Sequence, residues 1–75
     1  MQAVLKFNLN DLDDRREHYI AMHARHLVSV IWELETWLRT EEKHKDRDTI
    51  EINEVRQKLS ELIEQHSIAW EYINQ

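Results

Sequence analysis

The stretch Ala3-Val4-Leu5-Lys6-Phe7-Asn8-Leu9 decides how the rest of the chain is read. Ala3, Leu5, Phe7 and Leu9 fall on one side of an extended backbone; Val4, Lys6 and Asn8 fall on the other. That alternation predicts a β-strand over residues 3–9. No other segment of the 75 residues alternates in this way. A lone strand leaves its backbone N–H and C=O groups without ladder partners, and the natural partner is the same segment of a second copy. The sequence thus points to an oligomer before it points to a chemistry.

Downstream the period changes to that of helices. In Asn10-Asp11-Leu12-Asp13-Asp14, Asn10 or Asp11 suits a helix cap, and the acidic first turn complements the positive end of the helix dipole. A first helix is predicted over 11–40. Its apolar positions Ile20, Ala24, Leu27, Ile31, Leu34 and Leu38 step by fours and threes and form a seam. Residues 41–47 carry no apolar side chain and read as an exposed connection. Asp48-Thr49-Ile50-Glu51 resembles a capping box, which opens a second helix over 49–73. Its seam is Ile52, Val55, Leu59, Leu62, His66, Ala69 and Ile73, where the polar His66 would fix register. Glu35 with Arg39, and Glu54 with Lys58, are i,i+4 pairs worth about 0.2–0.5 kcal/mol each. The predicted fold is mainly α in a single domain, 1–75: a short N-terminal β-strand, then an antiparallel two-helix hairpin.

Such a hairpin has one inner face, and the chain carries more apolar surface than that face covers. Val28, Val30, Trp32 and Trp37 lie beside the first seam, and Ile63, Ile68 and Trp70 beside the second. Burying a large apolar side chain contributes about 1.5–3 kcal/mol. The expectation is a homo-oligomer, two hairpins forming a dimeric four-helix core. Its predicted interface holds Leu5, Phe7, Leu9, Val28, Trp32, Ile63, His66 and Trp70.

Composition narrows the function. Cysteine is absent, which excludes disulfides and thiolate metal sites; Gly and Pro are absent too, which argues against an all-β or loop-rich fold. The net charge of −5 disfavours direct binding to a nucleic-acid backbone. No apolar run approaches the roughly 20 residues of a membrane span, and the start lacks a secretory pattern, so a cytoplasmic protein is expected. Of five histidines, only His23 and His26 share a helical face, and two ligands fall short of the three or four that zinc takes; no metal or cofactor is expected. Ser29, Ser60 and Ser67 sit in no nucleophile elbow, and a glycine-rich phosphate loop is impossible here, so no catalytic residue is assigned and the chain is read as a non-enzyme.

The densest apolar patch is Trp32-Glu33-Leu34-Glu35-Thr36-Trp37-Leu38-Arg39. Trp and Arg are enriched where interfaces carry their binding energy, so Trp32, Trp37 and Arg39 are the predicted partner-binding residues. This block, with Val4 to Leu9 ahead of it and the acidic stretch through Asp14, Arg15, Glu17 and His18 between, resembles a group of small uncharacterised bacteriophage helical proteins. The likeness runs from about Val4 to Ile68. Such proteins often carry Pro after Phe-Asn-Leu and Gly between the helices, where this chain has Asn10 and a Gly-free connection. The resemblance implies a phage accessory protein acting on host machinery. The leading expectation is a non-enzymatic oligomeric interaction protein that binds and occludes a host protein. One alternative is a sponge that holds an anionic nucleotide between protomers, with Arg25 and Arg39 on phosphates and a Trp under the base. Another is an acidic mimic of nucleic acid.

Overall fold

The computed structural model describes residues 1–74; Gln75, the last residue of the expected domain, lies outside them. An extended N-terminal arm leads into four helices: α1 (Leu12–Met22), α2 (Ala24–His44), α3 (Ile52–Gln65) and α4 (Trp70–Ile73). Helices α2 and α3 pack together along their lengths, and α1 reaches α4 as well as α2.

The predicted strand over 3–9 is not formed, and no strand occurs among the described residues. The chain offers the segment no second strand, and its polar groups turn to the helix behind it. The Asn8 amide donates to Asp14 Oδ2 at 2.9 Å, and the Leu9 carbonyl accepts from Arg15 Nε at 3.0 Å. Phe7 sets its ring edge-on against His18, with centroids 5.4 Å apart. Asp11 is the cap: its carboxylate accepts from the amides of Asp13 and Asp14, satisfying two of the four orphan donors of α1.

The two-helix hairpin is likewise corrected, to four helices among the described residues. The helix expected over 11–40 breaks at His23, with neither Pro nor Gly to cause it. His23 leaves helical geometry (φ −109°, ψ 11°). Its Nδ1 donates to the Tyr19 carbonyl at 2.9 Å while its ring stacks on that of Tyr19, centroids 4.0 Å apart. The side chain thus takes a carbonyl that the helix ladder also uses, and competition of that kind loosens a helix.

The second helix, expected over 49–73, starts at Ile52 and stops at Gln65. Asp48 builds no capping box; Glu51 holds the cap position without a side-chain bond. Arg47 fixes the loop instead, bridging Glu41 at 3.3 Å and Glu54 at 2.7 Å. The stop is a Schellman turn: Ser67 N–H donates to Glu64 O at 3.0 Å, and Ile68 N–H to Ile63 O at 3.1 Å. Such a turn needs a left-handed residue, usually Gly. With no Gly in the chain, Ser67 takes that role at φ 54°, as Asp46 does after α2 at φ 52°.

Val30, Leu62 and Ile68 form the buried core, with Leu27, Leu34, Leu59, Ile63 and Ile73 packed around them. The Schellman turn inserts Ile68 there. The body stays thin and open. It measures 49 × 33 × 17 Å, and its radius of gyration of 16.2 Å exceeds the about 11 Å of a compact 75-residue domain. Its accessible surface of 6658 Å² stands against about 4,900 Å² for a folded monomer of this mass.

Candidate functional site

Three features stand out, and each grows from local helix chemistry. The first is a cluster of rings where the α1–α2 break meets the end of α3. The kink at His23 sends α1 toward α4. There the Tyr19 hydroxyl accepts from the Ala69 amide at 2.8 Å, and its ring meets Tyr72 edge-on at 5.2 Å. One helical turn along α2, His26 faces His66 across the α2–α3 boundary. Their Nδ1 atoms lie 3.3 Å apart, and the His66 Nε2 lies 2.5 Å from Glu33 Oε2. With both rings neutral, a single proton arrangement satisfies both contacts. A carboxylate only accepts, so Nε2 of His66 carries its proton and Nδ1 of His66 offers a lone pair. Nδ1–H of His26 donates to it.

The second feature is an apolar groove of about 480 Å³ between α2 and α3. Leu27, Val30, Ile31, Leu59, Ile63 and Trp70 line it, with Arg56 and Ser60 also in its wall. Ile31 is 69 % exposed and Trp70 48 %. Val28 and Trp32, both about two-thirds exposed, sit three residues before Ile31 and one after, so the apolar stripe continues from the groove over the outer side of α2.

The third is an ion cluster at the other end of the α2–α3 pair. Glu41 is only 4 % exposed, yet its carboxylate meets Lys45 at 3.0 Å and Arg47 at 3.3 Å. The Lys45 ammonium, by hydrogen bond and charge, with Arg47 behind it, holds the Glu41 carboxyl below its usual range against the opposing effect of desolvation. Glu54, then Glu41, raise the Arg47 guanidinium above its usual value. A buried charge with two partners satisfies the chemistry of its burial, and this cluster reads as the lock on the loop.

The residues predicted to contact a partner do not form one patch. Trp32 and Trp37 are five positions apart, about 140° around the helix. Trp32 faces outward at 66 % exposure. Trp37 is half-buried beside Glu41, Arg47 and Glu54. Arg39 is exposed and held by Glu35 at 2.7 Å, as the i,i+4 spacing predicts; Glu54, expected to pair with Lys58, turns to Arg47 instead. Among the predicted interface residues, Leu5, Leu9, Val28, Trp32 and Trp70 are exposed. Phe7 is half-buried on His18, Ile63 packs on the core, and His66 faces His26 and Glu33 within the chain.

Sequence reasoning missed the His26–His66 contact and the groove. Forty residues separate the two histidines, and no periodicity joins them. The sole legible signal was the seam position of His66. Among the described residues, no group of three or more His, Cys, Asp or Glu side chains has the arrangement of a metal site, and no helix is long and apolar enough to cross a membrane. Comparison of the chain with protein-family models, with curated proteins and with solved structures gave no match.

Proposed function

We propose that this chain is a non-catalytic interaction protein that works by occluding a surface of another protein, with the α2–α3 groove and the stripe beside it as the contact. The observation that carries this reading is apolar exposure in one place. Val28, Ile31, Trp32 and Trp70 are all exposed, and Ile31 and Trp70 line the groove. Contiguous apolar surface of that kind marks binding sites. The accessible surface exceeds that of a compact monomer by about 1,700 Å², while a standard interface takes about 800 Å² from each partner. A groove of this width between two helices suits the apolar face of a partner helix, whose anchors would recur at i, i+3, i+4 and i+7. The resemblance to small bacteriophage proteins supports a host protein as the target. Self-association through the same surface is the second reading. It is favoured by the exposed arm residues Val4, Leu5 and Leu9.

A nucleotide sponge draws less support. Arg39 is engaged by Glu35, and neither Arg25 nor Arg39 lines the groove beside Trp70. Acidic mimicry draws less still, since Lys45 and Arg47 neutralise acids within the Glu41 cluster.

The test is a selection of helical peptides on the immobilised protein, with an Ile31→Asp variant as counter-selection. Peptides that bind the parent and lose the variant support the proposal. Peptides that bind both equally, or no binders at all, refute it. Sedimentation velocity over a range of concentrations separates the second reading from the first.

A further inference from the structure

We infer that His26 and His66 form a binding site for a single borderline divalent cation, such as Zn2+, with Glu33 as the group that orients His66. The geometry comes first. Imidazole nitrogens bind zinc at about 2.0–2.1 Å, so two of them at the tetrahedral angle stand about 3.3–3.4 Å apart. The two Nδ1 atoms are 3.3 Å apart and face each other. The pair has the N–N separation of a chelate; a cation would sit beside the line between the two nitrogens and replace the hydrogen bond that now joins them.

The second observation concerns the far side of His66. Metal-binding imidazoles usually donate their other N–H to a carboxylate, which fixes the tautomer and raises ligand basicity. Glu33 does this at His66 Nε2, 2.5 Å away. With Nε2 protonated, the lone pair of His66 sits on Nδ1, the atom that faces His26. The third observation is access. His26 is exposed, and a neutral imidazole can carry its proton on Nε2 when Nδ1 takes a cation, so the ring need lose no proton overall. With two protein ligands, the remaining coordination positions would be filled by water.

Neighbouring groups fit this role. His23, the next ring along α2, is 6.4 Å from His26 between centroids, and its Nδ1 is engaged by the Tyr19 carbonyl. It therefore stands outside the pair, in agreement with the absence of a three-ligand cluster among the described residues. A two-imidazole site is weaker than a structural zinc site and exchanges its cation readily. Because one ligand lies on α2 and the other caps α3, the cation would clamp these elements at the end opposite the Glu41 cluster. That connects the site to the fold: it tightens the half of the molecule that the Glu41–Arg47 lock does not reach.

The experiment is calorimetric titration of the tag-free chain with Zn2+ at neutral pH, with the ring nitrogens followed by NMR. One Zn2+ per chain is expected, with shifts at the Nδ1 resonances of His26 and His66 and none at His44. His26→Ala, a change at an exposed position, should abolish binding with helix content unchanged. His66→Ala should do the same; Glu33→Gln should weaken affinity about 10–100-fold; His44→Ala should leave it intact. No binding at millimolar Zn2+, or equal binding by parent and His26→Ala, overturns the assignment.

Discussion

Replacing Leu62 by alanine probes how this fold is held together. Leu62 is 3 % exposed and sits with Val30 and Ile68 at the centre of the core. Leu→Ala at such a site costs about 2–5 kcal/mol, the transfer term plus the cavity left behind. A chain of this length has a total stability of about 4–11 kcal/mol at the usual value per residue. One substitution therefore removes a large fraction of the whole. In a domain of 60–100 residues each kcal/mol moves the midpoint by about 4–8 °C, so the melting temperature of Leu62→Ala should fall by at least about 8 °C. Ile31→Ala is the matched control. It deletes a similar side chain from a position 69 % exposed, where changes normally stay within about 0.5 kcal/mol. Far-UV circular dichroism melts of the three proteins at the same concentration give the answer. If Leu62→Ala melts with the parent, or if Ile31→Ala falls as far as Leu62→Ala, the core assignment is wrong.

Ser67→Gly should raise stability, by about 0.5–1 kcal/mol, because an L-residue in the left-handed region carries a cost of about 1–2 kcal/mol that Gly avoids in part; thermal melts check it, and a loss of stability would mean that Ser67 contributes more than its backbone shape. Tyr19→Phe removes the acceptor of the Ala69 amide and should cost about 0.5–1.5 kcal/mol, with faster amide exchange confined to α4 rather than spread through α3. Glu41→Gln should change the pH profile of stability. The folded-state pKa of Glu41 is lowered by Lys45 and Arg47, so its contribution is whole above the ordinary carboxylate value of 4.5 and fades as pH falls through the lower folded value. The parent should be the more stable protein at neutral pH, and the two melting curves should converge in acid.

The helical seams were legible because a period of three and four has one physical meaning here. Leu27, Leu34, Leu59 and Leu62 stood on them and stand in or around the core, but the seam residues Ile31 and Ile52 are exposed, and Val30 and Ile68, read as lying beside the seams, are buried instead. Of the two cap candidates, Asn10 and Asp11, the structure uses Asp11, and the Glu35–Arg39 pair followed from its i,i+4 spacing. The breaks were hidden for an equally physical reason. Helix ends are normally punctuated by Gly or Pro, and this chain ends α1 with a histidine that stacks on Tyr19 and ends α3 with a serine in a glycine's conformation. The strand reading failed at a different level. Alternation over 3–9 is real, yet alternation describes side chains, while a strand exists only when its main chain finds a ladder. At the candidate site, Val28, Trp32 and Trp70 were visible as surplus grease, whereas Ile31 was expected on the inner seam and stands exposed. Which of them met in one groove depended on the kink at His23 and the turn at Ser67, and His26 meeting His66 depended on how α2 settles against α3.

The smallest dimension of the body, 17 Å, is less than two helix diameters. Every amide therefore lies within a short reach of bulk water, and opening a single helix is enough to wet the interior. Hydrogen exchange should then show a shallow gradient of protection, with the slowest protons around Val30 and Leu62, and a clamp at either end should register along the whole length as slower exchange.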